Sequence, residues 1–476
     1  MAIAITFHGA AGTVTGSKHL LEVTHVNGEV RRLLLDCGMF QGEAVHGHRT
    51  DPNRHFGFDP RSIDAVVLSH AHIDHSGLLP RLVAEGFQGT IWSTPATRDL
   101  CAIMLEDSAR IQQGDFEYEQ HRARKRGRAL EREGPLYTVD DVRPALERFQ
   151  TTGYQQPMEV LPGITLTFTD SGHILGSAAV HLAIDDGERV LRFTFTGDVG
   201  RYVDRILPVP ARIPQADVIV CESTYGDRDH PAIHEAEEEL LKHVLRTCVE
   251  QKGKLIIPAF SIGKTQEILY TLNSLSNAGR LPRVPVIVDS PLAISATDIV
   301  RRHEALFRAE VREQLHNDPD LFSFRGVEFV RKVERSKQLN SRQEPCIVIS
   351  ASGMMEAGRV RHHLRHALPF AQNTVLAVGF CAPGTLGDAL LNGANVVQIF
   401  GEPVPVKATI AHMEFYSAHA DRTELVRYLN GQDRSQVRKL FLVHGVHRSL
   451  EGLRNVLTTA GFTGVEVAVK GRMYPL

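Results

Sequence analysis

"VVLSHAHIDHSG" (residues 66–77) sets three histidines and an aspartate, His70, His72, Asp74 and His75, within six positions directly behind an apolar run. Imidazole nitrogens and carboxylate oxygens are borderline to hard ligands, and a compact group of them suits zinc, with manganese and iron as competitors. The spacing is too tight for one helix face and fits a turn leaving a strand, which can aim side chains at two ions rather than one. Four ligands do not fill two coordination shells, because each ion takes about four protein or water donors. Other strand ends must therefore contribute. Asp36 in "LLLDCG", His173 in "TDSGHILGS", Asp198 in "FTGDVG" and His444 in "LVHGVH" share a local pattern, a β-prone run or a glycine beside the His or Asp. The chain holds 24 histidines, so a lone histidine means little. The repetition of the pattern is what selects these positions.

At 476 residues with 42% hydrophobic content, the chain can form two domains, or one carrying a large insertion. A formal charge of −3 excludes a global basic field, so any site for a polyanion is a local patch or a metal cleft. Cys37, Cys101, Cys221, Cys248, Cys346 and Cys381 are scattered without a CxxC pair, which argues against a zinc ribbon and a disulfide framework and for a reducing cytosol. The opening "MAIAITFHGAAG" has no basic segment leading a long apolar one, and no run of about 18 apolar residues occurs. The expectation is a cytoplasmic protein, neither exported by that route nor spanning a membrane.

Residues 1–200 read mostly as strands and turns. "HLLEVT" and "EVRRLLLDCG" are joined across an Asn27–Gly28 hairpin signal, "AVVLSH" is a buried strand, and "AAVHLAI" and "RVLRFTFTGDVG" are linked by Asp185-Asp186-Gly187. Residues 95–113 read as helix. The stretch 116–133, with six Lys/Arg from Arg122 to Arg132, reads as a solvated helix or as a basic rim for a polyanion. After about residue 227 helix and strand alternate through "GKLIIPAF", "VPVIVDSP", "PCIVISASG" and "NTVLAVGF", which implies parallel βαβ units in a separate α/β domain. From about 404 the strand-to-histidine pattern returns. The expected organisation is a first domain in two parts, 1–226 and 404–476, interrupted by an inserted domain at 227–403.

"SHAHIDHSG", together with Asp36, His173 and Asp198, resembles the metallo-β-lactamase fold, an αββα sandwich with its metals at one edge. "CESTYGDR" with Glu222, "PAFSIGKTQEILY", "DSPLA", "SASGMMEAGR", "FYSAHAD" with His419 and "FLVHG" with His444 resemble the β-CASP family of RNA- and DNA-processing nucleases. The likeness runs nearly the whole length. It implies an α/β fold, the αββα sandwich with an inserted parallel-sheet β-CASP domain, and two Zn2+ ions with Mn2+ as a competitor. By the same resemblance, His70, His72 and His173 would hold one ion, and Asp74, His75 and His444 the other. Asp198 would bridge them and Asp36 would orient the ligands from behind. His419 resembles the family's general acid, with Glu222 as its partner. Ser352 in "SASGMM" and Lys264 in "SIGK" are candidate phosphate contacts, with a tight packing turn as an equal alternative, and Ser417 is a third candidate.

The implied function is a zinc-dependent ribonuclease that cuts single-stranded RNA endonucleolytically in RNA processing or decay. His444 bears on the substrate: RNA-acting relatives carry histidine in this motif, and the DNA crosslink-repair branch carries valine. A small-molecule metallohydrolase of the glyoxalase or lactamase type is disfavoured, because a large inserted domain suits a long polymer. A non-catalytic scaffold paralogue is disfavoured by the complete ligand set. Val446 and His447 stand where many relatives carry an acidic residue, and Asp388 stands where a basic one is common. A homo-oligomer is left open.

Overall fold

The computed structural model describes residues 2–42, 51–125, 134–230, 236–379, 381, 383–413 and 417–476. The chain divides into two compact units, Met1–Asp229 with His419–Leu476, and His230–Ala418.

Two sheets, each of seven strands among the described residues, face one another in the first unit. The first begins as a hairpin, with Leu21 opposite Leu33 and His19 opposite Leu35. Gly28 takes the left-handed conformation (φ 82°) that this turn requires. Beyond the hairpin, Val30–Leu35, Ala65–Val67, Thr90–Ser93 and Phe149–Thr151 run parallel. In the second sheet, Ile164–Asp170, Ala178–Asp185 and Val190–Phe195 form an antiparallel meander. It continues in parallel through Val218–Glu222 and Lys439–Val443. Apolar residues of both inner faces, among them Phe7, Leu33, Val67, Phe168, Val180, Phe193 and Phe441, fill one core. A second cluster packs the outer face of the second sheet, through Ile219 and Leu440, against Leu425, Leu450 and Leu453 of the helices Arg422–Leu429 and His447–Thr459. The result is the αββα sandwich.

Helix Pro95–Lys125 buries Leu100, Cys101, Leu105 and Ala109 in its first half and exposes Arg122, Arg124 and Lys125 at its end. The charged stretch is thus a solvated helix as far as Lys125, and residues 126–133 lie outside the described ones.

The second unit is built on six parallel strands among the described residues, in the order Val327–Phe329, Val286–Val288, Cys346–Ser350, Lys254–Pro258, Thr374–Ala377, Thr409–His412. Its central strand Cys346–Ser350 is buried at every position, as a strand covered on both faces must be. Thr409–His412 pairs with Thr374–Ala377. The chain therefore re-enters the first unit at His419, later than the expected 404. The run "KATIAH" ends in a histidine as the first unit's strands do, but its hydrogen bonds go to the parallel sheet. Among the described residues no helix is long and apolar enough to cross a membrane.

Candidate metal centre

Every strand that carries a candidate ligand ends at one edge of the sandwich. Asp36 follows Val30–Leu35, His70 follows Ala65–Val67 by three residues, and these parallel strands place Leu35 beside Val67. Glu222 ends Val218–Glu222 opposite Val443, so that His444 comes next to it. Asp36 (φ 60°) and His444 (φ 53°) are both left-handed, a conformation that costs a non-glycine residue about 1–3 kcal/mol and clusters at functional sites. The neighbouring glycines are there because backbones crowd: a Cβ on Gly38 would lie 1.6 Å from Asp74 O, and one on Gly200 would lie 1.8 Å from Gly172 O. The expected turn after the strand is half helical. His72 caps a single helical turn, Ile73–Ser76, which carries Asp74 and His75.

The donors converge in two sets. In one, His72 Nδ1 lies 3.1 Å from His70 Nε2 and 3.2 Å from His173 Nε2. Asp198 Oδ2 stands 3.5 Å from both of those Nε2 atoms. In the other, His75 Nε2 lies 3.2 Å from His444 Nε2, with Asp74 Oδ2 3.9 and 3.5 Å from these two nitrogens and Asp198 Oδ1 3.4 Å from His75 Nε2. Donor atoms on a tetrahedral zinc at about 2.0–2.1 Å stand about 3.3 Å apart, so both sets have the right separation. Asp198 Oδ1 is buried without a well-formed hydrogen bond, as a carboxylate oxygen awaiting a cation would be. The residues fit a metal centre: His70, His72, His173 and Asp198 form one compact donor group and Asp74, His75 and His444 another, while Asp198 also groups with Glu222, His419 and His444 and its Oδ1 approaches His75 Nε2 of the second group.

Asp36 supports this arrangement from behind. Its Oδ2 accepts from His75 Nδ1 at 2.6 Å, which turns His75 Nε2 toward the donor set. Ser69 N and Oγ (2.8 and 3.0 Å) and Ser17 Oγ (3.1 Å) donate to the same carboxylate. Burial holds His70 well below the usual imidazole range and His72 at about 4, leaving both neutral and ready to ligate. For Asp198 burial acts the other way, but His444, His75 and His70 outweigh it and hold the carboxyl well below its ordinary value. His419 Nδ1 lies 3.2 Å from Glu222 Oε1 and 3.8 Å from Asp198 Oδ2. Burial alone would depress His419. Glu222, the hydrogen bond to it, Asp198 and Asp74 raise it instead. Two backbone N–H groups fix the pair: Val199 N donates to Glu222 Oε1 at 2.7 Å and Ala420 N donates to Val199 O at 2.7 Å.

The three candidate phosphate contacts belong to the second unit and are not among these gathered donors. Lys264 is buried and its Nζ pairs with Glu267 at 2.8 Å. Ser352 N donates to Ala357 O and its Oγ accepts from Ala357 N, while Gly353 packs on the Phe260 ring: these are the contacts of a packing turn. Ser417 is half-buried. Asp388 accepts from Gly384 N and Asn392, and Val446 is exposed. Ser17, Ser69 and Thr224, which bond Asp36, Glu222 or His444, escape the sequence reading. Only the adjacency of Ser69 to His70 hinted at one of them.

Paired donor sets at the edge of an αββα sandwich define a metallo-β-lactamase-fold hydrolase. The chain matches the metallo-beta-lactamase superfamily over residues 23–259, the Beta-Casp domain over 265–390, and the Zn-dependent metallo-hydrolase RNA specificity domain over 403–469. It is 36% identical to Ribonuclease TTHA0252 of Thermus thermophilus over 95% of each chain. It is 30% identical to an RNase J-like protein of Methanocaldococcus jannaschii over the full length of both. It is 31% identical to Transcription termination factor FttA of the same organism, over 87% of this chain and 63% of that one. A crystal structure of a protein of unknown function from Enterococcus faecalis shares the fold, with a TM-score of 0.51 and 12% identity over all of both chains. The chain belongs to the β-CASP family of metallo-β-lactamase-fold nucleases.

Proposed function

We propose that this chain is a zinc-dependent ribonuclease that hydrolyses internal phosphodiester bonds of single-stranded RNA. The observation that carries the reading is Asp198, with one oxygen facing each donor set and His419, paired to Glu222, at the rim of the same cluster. His70, His72 and His173 would hold one Zn2+, and Asp74, His75 and His444 a second, with Asp198 shared between them. When bound, such ions supply Lewis-acid stabilisation of phosphoryl charge and a hydroxide nucleophile at neutral pH. The protein's own part is proton delivery. His419 Nδ1–H donates to Glu222, the carboxylate favours the imidazolium, and Nε2–H would be the proton delivered to the departing oxygen. Glu222 and Asp36 act by orienting His419 and His75. The names of the relatives and of the RNA specificity domain support RNA as substrate, and six buried cysteines outside any disulfide support a reducing, cytosolic setting.

The test is incubation of the zinc-loaded chain with an end-labelled single-stranded RNA, the same sequence as DNA, and a thioester. Internal cuts are expected in RNA at least about tenfold faster than in DNA, roughly 1.4 kcal/mol in the barrier. The ribose discrimination requires contacts to the 2′-hydroxyl. Thioester hydrolysis with both oligonucleotides intact would overturn the reading in favour of a small-molecule hydrolase.

A further inference from the structure

Thr224 lies two residues beyond Glu222 and is half-buried. Its Oγ1 is 2.5 Å from Glu222 Oε2, 3.1 Å from His444 Nδ1 and 3.3 Å from His444 O. A hydroxyl has one proton and two lone pairs. The short contact to a carboxylate takes the proton, because a charged acceptor at 2.5 Å outcompetes a neutral carbonyl at 3.3 Å. Toward His444 the oxygen then has only a lone pair to offer, so that contact forms when Nδ1 carries the hydrogen. The lone pair of His444 is thereby left on Nε2, the atom that faces His75 Nε2 and Asp74 Oδ2. Asp198 Oδ1, 3.5 Å from His444 Nδ1, is too distant to compete for that hydrogen. The backbone of His444 is held separately, its N donating to Ala10 O at 2.6 Å, so what Thr224 governs is the ring.

The same hydroxyl acts on the acid side. Glu222 Oε2 accepts from Thr224 Oγ1 and N, which turns Oε1 toward His419 Nδ1. One side chain thus ties the carboxylate serving the proton donor to the imidazole of a ligand set.

We infer that Thr224 is a positioning residue whose hydroxyl, donating to Glu222 and accepting from His444, holds His444 in the tautomer that offers Nε2 to a metal ion and keeps Glu222 facing His419. The inference rests on reading His444 as a ligand and His419 as the acid.

The test compares Thr224→Val, which keeps the shape and loses the hydroxyl, with Thr224→Ser, which keeps the hydroxyl. Zn2+ affinity of the full chain is measured by competition with a chromophoric chelator, alongside kcat and KM on single-stranded RNA at saturating zinc. Thr224→Val is expected to weaken one of the two zinc-binding events by about 10–100-fold, the usual cost of losing a partner behind a ligand, and to lower kcat with little change in KM. Thr224→Ser is expected to restore both. Unchanged zinc affinity in Thr224→Val would overturn the inference. So would a Thr224→Ser variant as impaired as Thr224→Val, because the methyl group would then be what matters. If Thr224→Val does not fold, as judged by thermal unfolding, Thr224→Ala against Thr224→Ser decides in the same way. A parent chain that binds zinc but cuts no RNA would sink the ribonuclease reading, while the affinities still decide the role of Thr224.

Discussion

Asp198 and Asp289, one in each unit, are both buried carboxylates with imidazole neighbours, three or more around Asp198 and His363 beside Asp289, and their surroundings are opposite in kind. Asp289 Oδ1 accepts from Arg359 Nη1 at 2.7 Å, and its Oδ2 accepts from His363 Nε2 at 2.7 Å and Ser336 Oγ at 2.6 Å. Its demand for protons is met. Around Asp198 nitrogen faces nitrogen at 3.1–3.2 Å and one carboxylate oxygen has no good donor. An unmet buried acceptor costs about 1–3 kcal/mol. What distinguishes a functional cluster from a structural one of the same residue types is therefore whether it is satisfied without a ligand. Asp289 braces its unit; the Asp198 cluster leaves a buried acceptor unmet.

Substitutions at the two carboxylates should therefore have separable effects, on zinc and activity at Asp198 and on stability at Asp289. The largest expected effect is that of Asp198→Ala, which should remove both zinc ions by elemental analysis and lower RNA cleavage by more than about 10⁴-fold, because charge stabilisation and nucleophile are lost together. Full zinc content in that variant would mean that Asp198 bridges nothing. His419→Ala should slow kcat by roughly 10²–10⁴-fold, the scale of a general acid, with zinc content unchanged. Loss of zinc would make His419 a ligand. In the other unit, Asp289→Asn should cost about 1–3 kcal/mol in a urea melt, because the half-buried Arg359 and the buried His363 lose their charged acceptor, while zinc per chain stays at the parental value.

Two smaller effects sharpen the contrast. Free zinc at about 100 times its Kd should stabilise the parent by about 2.7 kcal/mol per site; a chelator should therefore lower the parent's melting temperature and leave that of Asp198→Ala unmoved. Asp289 adds a pH signature. Burial would raise its carboxyl, but the hydrogen bonds from His363, Ser336 and Arg359 win and hold it below the ordinary 3.8. Its folded value is depressed, so its stabilisation is present above pH ~4 and is lost as the pH falls through the folded value. The stability gap between parent and Asp289→Asn should shrink in acid; a gap that widened there would reverse the assigned sign.

Local signals are legible in the amino-acid order alone: the histidine cluster behind a strand, the Asn27–Gly28 hairpin, the parallel βαβ alternation, and the strand-end His and Asp positions that join the gathered donors. These were legible because each is written within about ten residues, in a periodicity or a turn signal set by backbone sterics and burial. The order of motifs along the chain, resembling one family, supplied the long-range grouping. Only the folded chain reveals the approach of Asp198 to both donor groups, the return to the first unit at His419 rather than near 404, the ion pair of Lys264 with Glu267 and the turn contacts of Ser352. It alone drew in the hydroxyls of Ser17, Ser69 and Thr224. A serine or threonine carries no periodic signal, and its role depends on which lone pair and which proton it faces. Thr224 meets a histidine 220 positions away, and only the paired ends of Val218–Glu222 and Lys439–Val443 bring them within reach.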